Sequence, residues 1–147
     1  MAIKRKVQAV WKGSAKEGSG QLSSSNKFFD NTPYSFKGRF ENEDGRLGTN
    51  PEELIAAAHS GCYAMALSVA ISEAGHTPDQ LDAQAEIVLD KEGDGFAIKE
   101  IKLTVKGKVS GLSKDKFLEM AEGAKEGCPI SKALSAVPIS LDASFES

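Results

Sequence analysis

Cysteine is scarce in this chain: two residues in 147. Two are too few for a disulfide scaffold, and a chain of this length can bury a core without one. A basic surplus is also missing, since net charge is −3 and the pI about 5.5. That argues against nucleic acid or an anionic membrane as a partner. The sequence has no phosphate loop and no GxGxxG, so nothing in it points to a nucleotide. Histidine occurs twice, at His59 and His76. With the two cysteines these give four nitrogen or sulfur ligands at most, in spacings unlike those of zinc sites. Met1–Val7 lacks an apolar run, so no secretory leader is expected and the cytoplasm is the expected location. Repeats, low-complexity tracts and linkers are absent as well.

What is present is an ordinary globular composition, 40% hydrophobic and 27% charged, and a length suited to one domain spanning residues 1–147. Ile3 to Trp11 alternates as a first strand, and Gln21–Ser25 reads as a second. Tyr34, Phe36, Gly38 and Phe40 alternate too, which predicts a strand over Tyr34–Glu41 with Arg39 on its other face. Glu41–Gly48 reads as a charged loop. Thr49 or Asn50 caps a long helix that begins at Pro51 and stops near Gly75. Ala83–Glu92 and Phe96–Val109 read as a hairpin around Asp94-Gly95. Ser113–Glu126 is an amphipathic helix, Cys128–Ser135 a short one, and Ile139 to Phe145 a last strand. The expected fold is α+β, with largely antiparallel sheets around a long buried central helix.

Leu54 to Ser72 carries no charged residue and is about as long as a membrane span. Its bulk is mostly alanine, it holds His59, Ser60 and Gly61, and it lacks basic flanks. It reads as a buried helix, with no membrane partner expected.

Each thiol has a distinctive setting. Cys128 opens a helix in Gly127-Cys128-Pro129, where a thiol is biased toward thiolate; Cys62 sits mid-helix, where it is not. The pairing suggests redox chemistry at Cys62 with Cys128 as resolving partner. Burial raises the pKa of Cys62, so a reactive Cys62 needs a cation from elsewhere. Arg39 is the candidate, with Glu52 or Glu53 as the carboxylate that holds it. Plainer readings stand beside this one: two inert core cysteines, a solvated Arg39, and glutamates that merely favour a helix start. His59 and Cys62 are i,i+3 and share a helix face, which admits a Cys–His pair, although a structural histidine is the simpler role.

Three segments carry a family resemblance: Pro33-Tyr34-Ser35-Phe36-Lys37-Gly38-Arg39-Phe40-Glu41, Thr49-Asn50-Pro51-Glu52-Glu53-Leu54 through Cys62, and Gly127-Cys128-Pro129-Ile130-Ser131. In these the chain resembles the OsmC/Ohr family of osmotically inducible and organic hydroperoxide resistance proteins, and its OsmC branch in particular. The resemblance implies a thiol peroxidase for organic hydroperoxides, with no bound cofactor or metal. Cys62 matches the peroxidatic cysteine, Cys128 the resolving one, Arg39 the arginine that stabilises the thiolate and Glu52 its carboxylate partner. It also implies an intertwined two-fold homodimer reduced by an external dithiol, dihydrolipoyl groups of a lipoylated protein.

Helix geometry favours a dimer independently. Glu52 and Cys62 stand about 15 Å apart along one helix and cannot meet. Two copies crossing antiparallel at residue 57, within Ala56-Ala57-Ala58, would bring residue 52 of one opposite residue 62 of the other. An apolar pocket using Met65, Phe117 and Ile55 is expected to favour alkyl or lipid hydroperoxides. Other classes remain open from sequence: a redox sensor that passes its disulfide to a partner, or a non-enzymatic stress or ligand-binding protein.

Overall fold

The computed structural model describes residues 1–42 and 48–146. The chain divides into two compact units, Met1–Leu54 and Ile55–Ser147.

In the first unit, β1 (Gln8–Lys12), β2 (Ser19–Ser23) and β3 (Thr32–Ser35) form an antiparallel meander. The first strand starts later than its alternation predicts, and the second lies two residues earlier. Gly20 explains that register. A Cβ there would lie 2.4 Å from the Tyr34 ring and 2.8 Å from Trp11, so only glycine lets the two aromatics close over the strand.

The strand expected over Tyr34–Glu41 is not formed as such. It stops at Ser35, and Phe36–Phe40 is a short helix, α1. Ser35 caps it, its hydroxyl accepting from Gly38 N at 2.9 Å. Phe36 and Phe40 share parity in a strand, but they are also i,i+4 on a helix, where their rings pack 4.7 Å apart. Alternation over so few residues fits both periods, and the serine cap decides between them. Arg39 therefore projects from a helix and not from a strand. Most of the expected charged loop, residues 43–47, lies outside the described residues.

The helix α2 (Pro51–Glu73) has 23 residues and begins as its capping signals predict. Asn50 Oδ1 accepts from Glu53 N at 2.8 Å, and the Thr49 hydroxyl donates to Glu53 Oε1 at 2.8 Å.

In the second unit, β4 (Gln80–Glu92) and β5 (Gly95–Lys108) make a long antiparallel hairpin. Its turn is Gly93-Asp94, one residue before the predicted dipeptide; Gly93 supplies the positive φ of 59°. The helices α3 (Lys114–Gly127) and α4 (Pro129–Ala133) then carry the chain back, and β6 (Ile139–Glu146) pairs with β5 in parallel, from Ile101↔Ile139 to Lys108↔Glu146. That parallel pair is the exception among the described strand pairs, which are otherwise antiparallel as expected. A strand that follows a helical crossover returns in the direction of the strand before it.

The core of this unit joins Ile101, Leu103 and Val105 of β5, alternate residues on one face, to Phe117 and Ala121 of α3. His59, Tyr63, Leu67 and Ile71 of α2 complete it as a single i,i+4 stripe. The expected burial of the whole helix does not hold within one chain. Met65 is 72% and Val69 55% exposed on its other side, although the helix is long and apolar enough to cross a membrane. A Cβ on Gly107 would fall 2.3 Å from the Phe117 ring, which itself stacks on Phe145 at 4.9 Å. Gly107→Ala is expected to destabilise the protein by about 1–3 kcal/mol through overpacking. Urea unfolding measures this, and an unchanged midpoint would mean that the ring yields freely.

Candidate active site

Two clusters hold the residues singled out in the sequence, one in each unit. In the second unit the two thiols meet. Cys62 stands on α2, one turn after His59, half-buried. Cys128 closes α3, its N–H donating to Ala124 O at 2.9 Å, and with extended backbone it caps α4, where Pro129 takes the first position. It is fully buried. The sulfurs lie 3.0 Å apart across 66 residues of sequence, both as free thiols.

The surroundings treat the two sulfurs differently. Burial pushes the Cys62 thiol up, and its hydrogen bond to Cys128 pushes the same way; the Ile130 N–H opposes them. Burial also pushes Cys128 up, but hydrogen bonds from Cys62, from the Ser131 N–H and hydroxyl and from the Ile130 N–H outweigh it and bring this thiol below its ordinary value. Within the second unit, the charge of a singly ionised pair therefore settles on Cys128. Among the described residues of this unit, no cation contributes to the shift of Cys62.

His59 completes this cluster. It is fully buried, its Nε2 is 2.7 Å from Ser131 Oγ, and its Nδ1 has no hydrogen-bond partner. Burial lowers its pKa and so favours the neutral ring. Sequence reasoning passed over Ser131. A signal was present, because Ser131 follows Cys128 by three residues just as Cys62 follows His59 by three. Two i,i+3 pairs on two helices can close a four-residue cluster.

In the first unit, Arg39 grips Glu52 as a fork. Arg39 Nη2 donates to Glu52 Oε1 at 2.6 Å, and Nε lies 3.1 and 3.2 Å from the two carboxylate oxygens. The guanidinium also lies 5.0 Å from the centre of the Phe40 ring. Glu53, the other carboxylate weighed from sequence, turns to Thr49 instead. Capping by Asn50 and Thr49 thus sets Glu53 aside and leaves Glu52 to the arginine. The Glu52 side chain is 14% exposed and that of Arg39 36%, so the pair is partly desolvated and the guanidinium still opens to its surroundings.

Beside the guanidinium is a cavity of about 290 Å³ lined by Trp11, Tyr34, Phe36, Arg39, Phe40 and Pro51. This apolar space differs from the pocket expected at Met65, Phe117 and Ile55. Phe117 is wholly committed to the core, and Met65 lies on the open side of α2. Among the described residues no group of three or more histidine, cysteine or acidic side chains could hold a metal ion.

The chain is similar to several known proteins. The family model for OsmC-like proteins matches residues 42–142. Peroxiredoxin OsmC of Escherichia coli (strain K12) is 44% identical over 147 residues, covering 100% of both chains. Organic hydroperoxide resistance protein OhrB of Bacillus subtilis (strain 168) is 33% identical over 92 residues, 62% of this chain and 65% of that protein. Among solved structures, the OsmC-like protein of Mycoplasma pneumoniae superposes with a TM-score of 0.76 over 100% of both chains at 14% identity, a likeness of fold.

Proposed function

The chain belongs to the OsmC-like protein family, and from that premise we propose that it is a thiol-dependent peroxidase that reduces organic hydroperoxides to alcohols. The observation that carries this reading is the pair of free sulfurs, Cys62 and Cys128, 3.0 Å apart and supplied by separate elements. The Cys62 thiolate attacks the distal peroxide oxygen; the O–O bond breaks, and the alkoxide takes a proton and leaves as alcohol. Cys62 is left as a sulfenic acid, which Cys128 converts to a disulfide. An external dithiol, of the dihydrolipoyl kind, then reduces the disulfide.

The anion must reside on Cys62 for the first step, whereas its own unit draws charge toward Cys128. Arg39, oriented by Glu52, supplies the missing cation in this reading and stabilises the departing oxygen. The working form is a two-fold homodimer in which α2 crosses its partner copy antiparallel near residue 57. Each site then combines Cys62 and Cys128 of one copy with Arg39 and Glu52 of the other. Two features support this arrangement: the uncovered side of α2 bearing Met65 and Val69, and the small residues Ala56-Ala57-Ala58 at the crossing. The apolar cavity beside Arg39 suits the alkyl portion of a substrate.

Steady-state kinetics with a dithiol reductant test the reading. Many turnovers are expected, with kcat/KM for cumene hydroperoxide about 10²-fold or more above that for hydrogen peroxide, the scale of a few buried methylenes. A single turnover would favour a redox sensor, and equal efficiencies would remove the apolar pocket from the account.

A further inference from the structure

A disulfide can be opened at either sulfur, and the choice decides which cysteine carries the reductant. A thiolate attacks one sulfur in line with the S–S bond, from the side opposite the other sulfur, which then leaves. Access along that line selects the sulfur that is attacked.

The two sulfurs of this protein differ in access. Cys128 has 0% of its surface exposed and belongs to the core cluster that includes Tyr63, Phe117, Ala121 and Ala124. Every approach to it is closed, the one opposite Cys62 included. Its backbone is held on both sides: its N–H donates to Ala124 O at 2.9 Å, and its carbonyl accepts from Lys132 N at 3.1 Å. Cys62 packs against the margin of the same cluster and keeps part of its surface open. Its helix is uncovered on the side that bears Met65 and Val69, and at Gly61, the residue before it, an added Cβ would meet nothing within 4 Å. The sulfurs already lie 3.0 Å apart, so bonding needs only a small closure and leaves Cys128 among the same neighbours. Association with a second copy can add cover but cannot uncover Cys128.

The leaving group favours the same direction. Within this unit Cys128 is the thiol held below its ordinary value, and Cys62 is the one pushed above it. A sulfur of lower pKa departs more readily. Attack at Cys62 expels that better leaving group, whereas attack at Cys128 would expel the poorer one and would have to come through the core.

We propose that the reductant enters at Cys62: a dithiol forms its mixed disulfide with Cys62, and Cys128 is the thiol released first. This rests on the peroxidase reading for its place in the cycle. One thiolate of the dithiol attacks Cys62 Sγ. A new S–S bond forms, the bond between Cys62 and Cys128 breaks, and Cys128 departs as thiolate. The freed Cys128 stands beside the mixed disulfide and can attack it in return, so the intermediate is short-lived. The second thiolate of the reductant competes with that reversal by attacking its own sulfur in the mixed disulfide. Cys62 then leaves as thiolate, and the reductant departs as an intramolecular disulfide. An electron pair has passed from the dithiol to the protein, and the protons of the dithiol go to the cysteines or to solvent. Cys62 thus meets both reagents, the peroxide in one half of the cycle and the dithiol in the other, while Cys128 meets neither.

Protein oxidised with diamide carries the disulfide without any use of peroxide. A brief pulse of 2-mercaptoethanol, an acid quench and peptide mapping then locate the adduct. It is expected on the peptide of residue 62, with Cys128 as the free thiol, in at least about tenfold excess over the reverse pattern, because access selects the site. An adduct on residue 128 in the earliest quench, or equal amounts on both residues, would overturn the proposal. A second measurement uses the reduced wild-type protein at a pH high enough to ionise both thiols, so that access alone separates them. Iodoacetamide is expected to alkylate Cys62 at least about tenfold faster than Cys128, and to reach Cys128 fully only after unfolding in urea. Equal alkylation rates in the folded protein would also overturn it. The peroxidase reading fails by a different result: hydroperoxide that leaves both thiols free where diamide links them would defeat that reading, and the position of the adduct would still decide the point of entry.

Discussion

Cys62→Ser is expected to remove hydroperoxide turnover altogether, a fall of about 10⁴-fold or more, the scale seen when an enzyme loses its only nucleophile. A hydroxyl does not ionise near neutral pH and has no accessible sulfenic state, so neither the first step nor the disulfide can follow. Cys128→Ser is expected to behave differently. Cys62 keeps its peroxide reaction, the first equivalent is consumed, and the cycle then stalls because no second sulfur stands 3.0 Å away. Peroxide consumption in the presence of dithiol should separate the two variants: none for the first, and a single stoichiometric burst for the second followed by slow turnover through direct attack of the reductant. Equal steady turnover in both variants would mean that the chemistry lies elsewhere.

Arg39→Ala is expected to lower kcat/KM for organic hydroperoxide by about 10²–10³-fold, as removal of a single preorganised donor does in other active sites. The reason lies in the balance between the thiols. Burial and the Cys128 contact push Cys62 up, while Cys128 is held down by several donors. In the proposed site, loss of the guanidinium would leave the shared charge with Cys128 and Cys62 protonated. Arg39→Lys is expected to recover only part of the loss, because an ammonium cannot reproduce the Nε and Nη2 fork on Glu52. Mixing Arg39→Ala protein with Cys62→Ser protein distinguishes a shared site from a self-contained one. If each site draws Arg39 from the partner copy, heterodimers regain one intact site and activity returns. Activity that stays at the level of the separate variants would place Arg39 and Cys62 of a single chain together.

The parts of the fold governed by local chemistry were legible in the sequence. Asn50-Pro51 and the acidic pair after it marked the start of α2, and the long alternations marked the β4–β5 hairpin. The segment around Arg39 was not. Phe36 and Phe40 satisfy both the strand and the helix period, and the deciding interaction, the Ser35 hydroxyl on Gly38 N, is a single hydrogen bond. The parallel pairing of β6 depends on where two helices deposit the chain, which no window of residues records. Spacing left Glu52 and Glu53 equivalent as partners for Arg39; it took the Thr49 contact to separate them. Ser131 escaped notice because an ordinary serine on a short helix becomes distinctive only when His59, 72 residues earlier, arrives on its hydroxyl.

The central claim is that Cys62 and Cys128 form one peroxide-driven couple. Mass spectrometry of the reduced protein after a single equivalent of organic hydroperoxide tests it most directly. The account predicts loss of both free thiols and a peptide pair linked between residues 62 and 128, and in Cys128→Ser an oxygen added at Cys62 that a sulfenic-acid reagent traps. Wild-type protein that consumes the peroxide with both thiols still free, or that carries the oxygen on Cys128 with Cys62 unmodified, would contradict it.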